Sequence, residues 1–320
     1  MRNGKIFVTE PSLPPLGEYL TLLEKIWKNK QLTNSGEFHV KFEEKLRSYI
    51  DVSNLSLVAN GTIALLIALK ALKLEGEVIT TPFTFVATTS VLEWLGLKPI
   101  FCDIDENDFN IDPTKIEALI TENTSAILPV HVFGNPCNNN MIAKIANAHN
   151  LKLIYDAAHA FNVIENNISI LGYGDMSTLS FHATKVFNTI EGGAIICNNV
   201  EAKNRIDQLR NFGYDSFNNV ACSGINGKMN ELQAAYGLLQ LDGSIMSIAK
   251  RGLIFDKYME KLNNIEGIIL PNIRSNVTYN YSYFPIRVTF KYALSRTRLI
   301  EEMNKMGIYP RRYFYPLVNE

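Results

Sequence analysis

The chain has no long apolar run, no C-x-x-C pair, no G-x-G-x-x-G and no surplus of charge of either sign. The N-terminus, MRNGKIFVTEPSLPP, lacks the apolar core of a secretory signal. The most apolar helical stretch, TIALLIALKALKL, is short and carries Lys70 and Lys73, so no membrane span is indicated and a cytoplasmic location is expected. Cys102, Cys137, Cys197 and Cys222 lie far apart, which argues against a zinc ribbon or a disulfide framework; they are expected to be reduced and structural. Lys and Arg total 31 against 32 Asp and Glu, for a formal net charge of −1, and no basic run stands out. Neither nucleic acid nor an anionic membrane is therefore expected as a partner, and small molecules are. No metal is expected either. In DIDENDFNIDPT, Asp103, Asp105 and Asn107 fit a calcium loop, but Asp108 stands where that loop needs glycine and Thr114 where it needs a bidentate glutamate. The missing dinucleotide fingerprint counts against a nicotinamide-dependent dehydrogenase, since GYGDMS at 172–177 lacks the third glycine and precedes a strand.

What is present is globular: 320 residues, 47% apolar and 20% charged, enough for a large core split into two domains. Seven short apolar runs read as strands: LSLVAN (55–60), EVITTP (77–82), KPIFCDID (98–105), SAILPVHVF (125–133), LKLIYD (151–156), STLSF (177–181) and GAIICN (193–198). Their hydrophobicity is continuous rather than alternating, which predicts strands buried on both faces. Helical segments are expected at 62–74, 113–120 and 141–150 between them, and at 19–30 and 38–50 before them. Two more are expected at 229–241 and 248–262. Alternating strands and helices predict an α/β fold with a mainly parallel, doubly wound sheet. A smaller C-terminal α+β domain is expected from 242 to 320, after a large domain at 1–241. It would contain a strand in YSYFPIRVTF (281–290) and a helix at 295–307 stopped by Gly307.

Ligands of such sheets bind at the carboxyl ends of the strands, and three features sit there. In VANGTIALL, a strand end is followed by Gly61 and a helix start at Thr62, which is either a plain turn and cap or an anion site suited to a phosphate. Asp156 closes the apolar strand LKLIYD, and a carboxylate there either caps the next segment or meets a cation or donor. His159 follows in the same turn. Lys185, in SFHATKVFNTIEGGAI, is either a solvated loop residue or an enclosed amine whose pKa falls until it can form a Schiff base. Together, a phosphate cradle, a strand-end aspartate and a lysine are the three handles that pyridoxal phosphate needs.

The motifs NGTIAL, TPFTFVATT, PVHVFGNP, YDAAHAF, GDMSTLSFHATKVFNTIEGGA and GINGKMNELQAAYGL resemble those of the DegT/DnrJ/EryC1/StrS family of sugar aminotransferases, of fold type I. The resemblance runs from about residue 10 to the end of the chain. It implies pyridoxal 5'-phosphate as cofactor, Lys185 as the Schiff-base lysine, Asp156 as partner of the pyridine nitrogen and His159 near the phenolic oxygen. Phe85 would stack on the ring, while Gly61, Thr62 and Ser180 would hold the phosphate. Asn226 would reach the phosphate of a neighbouring subunit, so a homodimer with shared active sites is implied. Arg311 and Tyr313 are implied substrate contacts.

Dehydratases of the family carry histidine in place of the lysine, so Lys185 implies amino transfer. SFHATK followed by EGG is similar to members that aminate carbon 4 of a nucleotide-linked 4-keto-6-deoxysugar, with glutamate as donor, in pathways such as that of the lipopolysaccharide O-antigen. GIYPRRYFYPL (307–317) resembles a motif that further residues normally follow, so the small domain is expected to be incomplete. The alternative is a truncated, noncatalytic member with a regulatory or assembly role.

Overall fold

The computed structural model describes residues 4–320. All seven predicted strands form: β1 (Asn54–Val58), β2 (Glu77–Thr80), β3 (Lys98–Phe101), β4 (Thr124–Ile127), β5 (Lys152–Asp156), β6 (Met176–Ser180) and β7 (Gly193–Cys197). They make one sheet in the order β1-β7-β6-β5-β4-β2-β3. Neighbours are parallel except that β7 runs antiparallel to both β1 and β6.

Alternate residues of each strand enter opposite cores. In β7, Ala194 and Ile196 join a core with Leu55, Leu57 and Leu179, while Ile195 and Cys197 join Val58, Ile154 and Met176 on the other face. The first face is covered by α1 (Leu16–Asn29), α2 (Glu37–Tyr49), α5 (Asn139–Ala148) and the N-terminal half of α7 (Glu231–Leu262); the second by α3 (Gly61–Ala71), α4 (Val86–Trp94) and α6 (Val200–Leu209). Burial on both faces is the reason the strands read as continuous apolar runs.

Several expected elements differ. Residues 113–120 form two 3-10 turns, Pro113–Lys115 and Glu117–Leu119, rather than one helix. The Asp112 carboxylate accepts the Thr114 N–H and hydroxyl, which favours a tight turn over a helix. The two helices expected around Asp242 are one 32-residue helix, about 48 Å long. Gly243 lies within it, and Ser244 turns its hydroxyl back to the Leu241 carbonyl at 2.7 Å and meets Tyr49 Oη at 2.8 Å. The helix thus crosses the expected domain boundary, its first half in the core and Phe255 in an aromatic cluster with Tyr279, Tyr281 and Phe284. The strand expected in 281–290 shortens to Arg287–Val288, paired with Ile268–Ile269. α8 (Arg296–Lys305) ends before Gly307, whose φ of 79° suits a residue without Cβ.

α2 begins without a cap of its own, because Gly36 has no side chain. Glu231, the first residue of α7, supplies one: its carboxylate accepts the N–H groups of Phe38 at 2.8 Å and His39 at 3.0 Å. A Cβ on Gly36 would stand 2.6 Å from Glu231 Cδ, so the glycine is needed for space. Glu231→Ala would leave two buried N–H groups unpaired and should lower the unfolding free energy by about 2–3 kcal/mol. Urea unfolding should record a lower midpoint with an unchanged slope.

Candidate active site

A cavity of about 610 Å³ opens at the carboxyl edge of the sheet. It is lined by Gly61 and Thr62 after β1, Thr84 and Phe85 after β2, and Asp156 and His159 at the end of β5. Ser180 and Lys185 enter from the end of β6 and the loop to β7, and Tyr283, Arg311 and Tyr313 from the C-terminal part of the chain. Nine of the ten residues predicted for the site are thus brought together. Asn226 is the exception: it is exposed, bridged to Asn211, and does not line this cavity.

The β1–α3 junction presents free donors to the cavity. Asn60 caps α3 by accepting the Ile63 N–H at 2.9 Å, and its carbonyl accepts the Ala64 N–H at 3.0 Å. The Gly61 and Thr62 amides of the first turn are left without a helical acceptor. They open on the cavity beside Ser180, at the positive end of the helix dipole. A Cβ on Gly61 would lie 2.7 Å from the Ser180 Cβ, so only glycine lets the serine hydroxyl join the amides. The cradle and the donors match a phosphate group.

Asp156 is 5% exposed. One carboxylate oxygen accepts the Ala158 N–H at 3.1 Å and the other the Thr88 hydroxyl at 2.7 Å. Burial pushes its pKa up, opposed by these donors and by the positive charge of Lys185. His159 accepts the Phe133 N–H on Nδ1 at 3.2 Å, which leaves the proton of the neutral ring on Nε2. Burial and Lys185 hold its pKa well below the ordinary value, so it stays neutral. The ring is packed against Tyr283, with centroids 4.7 Å apart.

Lys185 follows a turn in which its N–H reaches the His182 carbonyl at 2.9 Å. Its pKa is lowered to about 8, first by burial and then by Arg311, against the pull of Asp156. The amine is held among protein atoms at the cavity wall, while the residue as a whole is half-buried because the cavity admits solvent. Phe85, at the start of α4, is 63% exposed. Phe83 instead enters an aromatic cluster with Phe109, Phe133 and Phe314. Arg311 has no ion-pair partner among the described residues.

Asn60, Thr84, Thr88, His182, Glu191 and Tyr283 were not singled out by the sequence. Asn60 carries a readable signal, an N-cap residue at a strand end. Thr88 and Tyr283 carry none: the first looks like any helical threonine and the second like part of a strand.

Free first-turn amides, a buried carboxylate and an amine of lowered pKa around one cavity fit pyridoxal phosphate. Residues 17–320 match the model of the DegT/DnrJ/EryC1/StrS aminotransferase family. A dTDP-4-amino-4,6-dideoxy-D-glucose transaminase of Shigella dysenteriae is 51% identical over 98% of this chain and 85% of its own length. The Escherichia coli protein of the same name is 47% identical over 100% of this chain and 86% of its own length. Among solved structures, DesI, crystallised in the presence of its TDP-sugar product, superposes with a TM-score of 0.95 at 32% identity, over 99% of this chain and 81% of that one. NtdA of Bacillus subtilis, with bound cofactor PMP, superposes with a TM-score of 0.85 at 31% identity, over 95% of this chain and 70% of that one. The chain belongs to the DegT/DnrJ/EryC1/StrS aminotransferase family.

Proposed function

We propose that the cavity holds pyridoxal phosphate and that the protein transfers an amino group from glutamate to a nucleotide-linked 4-keto-6-deoxysugar, giving a 4-amino-4,6-dideoxysugar nucleotide. The observation that carries this reading is the convergence of Lys185, Asp156 and the free first-turn amides of α3 on one cavity. The sugar and the position of amination rest on the two transaminases named above and on the SFHATK and EGG motifs; dTDP is the nucleotide of both relatives. A noncatalytic role draws no support from them.

Pyridoxal phosphate, when bound, supplies an aldehyde that captures amines and a ring that withdraws electrons from the adjacent carbon. The Gly61 and Thr62 amides and the Ser180 hydroxyl would hold the phosphate. The Asp156 carboxylate would keep a proton on the ring nitrogen, making the ring a stronger electron sink. His159, neutral and fixed by Phe133, would offer its Nε2 proton to the phenolic oxygen, and Phe85 would cover a ring face. Lys185 would hold the aldehyde through its Nζ, and the same Nζ, when free and neutral, would move a proton between the substrate carbon that bears nitrogen and the cofactor's aldehyde carbon. The unpaired guanidinium of Arg311 suits an anionic part of either substrate, with Tyr313 beside it.

Each cavity is completed, in this reading, by Asn226 of a second copy of the chain. An exposed asparagine away from its own chain's cavity is what that role requires. A location inside the cell fits the substrates proposed. No helix among the described residues is long and apolar enough to cross a membrane.

Adding pyridoxal phosphate should produce a visible absorbance band that glutamate bleaches and the correct keto-sugar nucleotide restores. Lys185→Ala should abolish the protein-linked band and reduce turnover by about 10²–10⁴-fold or more. A folded protein without a Lys185-dependent band overturns the reading.

Only neutral Lys185 can attack the aldehyde. Its amine is protonated below the lowered pKa and neutral above it, so the rate of cofactor capture should rise with pH to a plateau, with a midpoint near the lowered value of about 8. An ordinary lysine would give a midpoint about two units higher. Stopped-flow absorbance from pH 6 to 10 separates the two.

A further inference from the structure

Among the described residues, Asp156 accepts two side-chain hydrogen bonds, and one of them comes from a residue the motifs gave no role. Thr88, in the first turn of α4, reaches across to β5 and places its hydroxyl 2.7 Å from Asp156 Oδ2. A second hydroxyl stands behind it, with Thr84 Oγ1 2.8 Å from Thr88 Oγ1. Thr84, Thr88 and Asp156 are all buried, at 2%, 0% and 5% exposure.

The direction of this chain follows from its end. An ionised carboxylate only accepts, so the single proton of Thr88 is committed to Asp156. The contact between the threonines is then donated by Thr84. Buried threonines in helices commonly satisfy themselves by bonding the carbonyl four residues back. Thr88 instead meets the side chain of the residue four back, while its own N–H goes to the Phe85 carbonyl at 3.1 Å. Its hydroxyl is spent on another element, and each donor in such a row polarises the next.

We propose that Thr88, backed by Thr84, is a positioning residue that keeps Asp156 ionised and aimed into the cavity, so that the carboxylate can hold a proton on the nitrogen of the cofactor ring. This rests on the pyridoxal phosphate reading. Without the Thr88 donor, one carboxylate oxygen would be buried and unpaired, and the acid would take up a proton of its own. A neutral acid cannot stabilise a protonated ring nitrogen. The other titratable groups around the cavity are His159, His182, Lys185, Glu191, Tyr283, Arg311 and Tyr313; α4 contributes none. All of them stay in place when a threonine is changed to valine, so a shift between variants reports the hydroxyl.

The test uses pyridoxal phosphate labelled with 15N in the ring, bound to the full-length protein and to Thr88→Val, Thr88→Ser and Thr84→Val, with the nitrogen chemical shift followed against pH. In Thr88→Val the ring proton should be held about tenfold or more less tightly, so that it is lost at lower pH than in the parent. Thr88→Ser should match the parent, and Thr84→Val should move in the same direction by less. A Thr88→Val protein whose ring nitrogen titrates as in the parent overturns the inference. If circular dichroism shows Thr88→Val to be unfolded, Thr84→Val decides: a shift to lower pH supports the relay and none overturns it. A parent protein without a Lys185-dependent visible band would be the failure of the cofactor reading itself, and would remove this inference with it.

Discussion

The Asp156 carboxylate is a charge placed at the buried carboxyl end of β5, and the arrangement of the cavity depends on the terms of that placement. An isolated carboxylate at 5% exposure would neutralise itself by taking up a proton. Its Ala158 and Thr88 donors oppose this, and so does the positive charge of Lys185. Each is tied to a different element: Ala158 to the turn after β5, Thr88 to α4 and Lys185 to the β6–β7 loop. The carboxylate therefore couples three separate segments, and a shift in any of them would be felt at the acid.

Lys185 and Asp156 are shifted in opposite directions by the same burial. The enclosure raises the acid and lowers the amine, and both shifts favour neutral forms. Their mutual attraction works the other way and keeps either from going far. Arg311 tips the balance on one side only, because it repels the ammonium form of Lys185. An arginine brought in from the C-terminal part of the chain thus bears on a lysine of the β6–β7 loop, which links the placement of residues far apart in sequence to the readiness of the amine.

The sheet was legible because its strands are buried on both faces. All seven apolar runs became strands, with ends displaced by a few residues. The helices were less so. α4 and α6 were not anticipated, since VATTSVLEW carries two threonines and a β-branched start, and VEAKNRIDQL buries only Ile206 and Leu209. Asp242 and Gly243 look like a break but continue α7, because Leu241 and Ser244 on either side are buried against α2 and its neighbours. Tertiary packing outweighed a local signal worth about 1 kcal/mol. Most of the cavity's residues were visible in the sequence because they fall at strand ends, where position alone is informative. Thr88 was not, because its partner lies 68 residues away and nothing local marks the pairing.

The antiparallel strand explains why Lys185 and the start of α3 can share a cavity. A parallel β7 would need a crossover of a dozen or more residues, usually through a helix on one face of the sheet. Residues 181–192 instead return directly, without a helix, and stay at the carboxyl edge. Ile190 takes a φ of 69° in this return, a strained value for a β-branched residue. β7 then enters between β1 and β6 at Gly193, which pairs with Val58 on one side and Ser180 on the other. A Cβ there would lie 2.8 Å from the Asn60 carbonyl and from the Leu179 oxygen, so a larger residue would push the two strands apart. Those strands lead into Asn60–Gly61 and Ser180, which face each other at the cavity. The glycine that admits β7 therefore also sets the spacing of Gly61 and Ser180, and the loop that ends at this glycine carries Lys185.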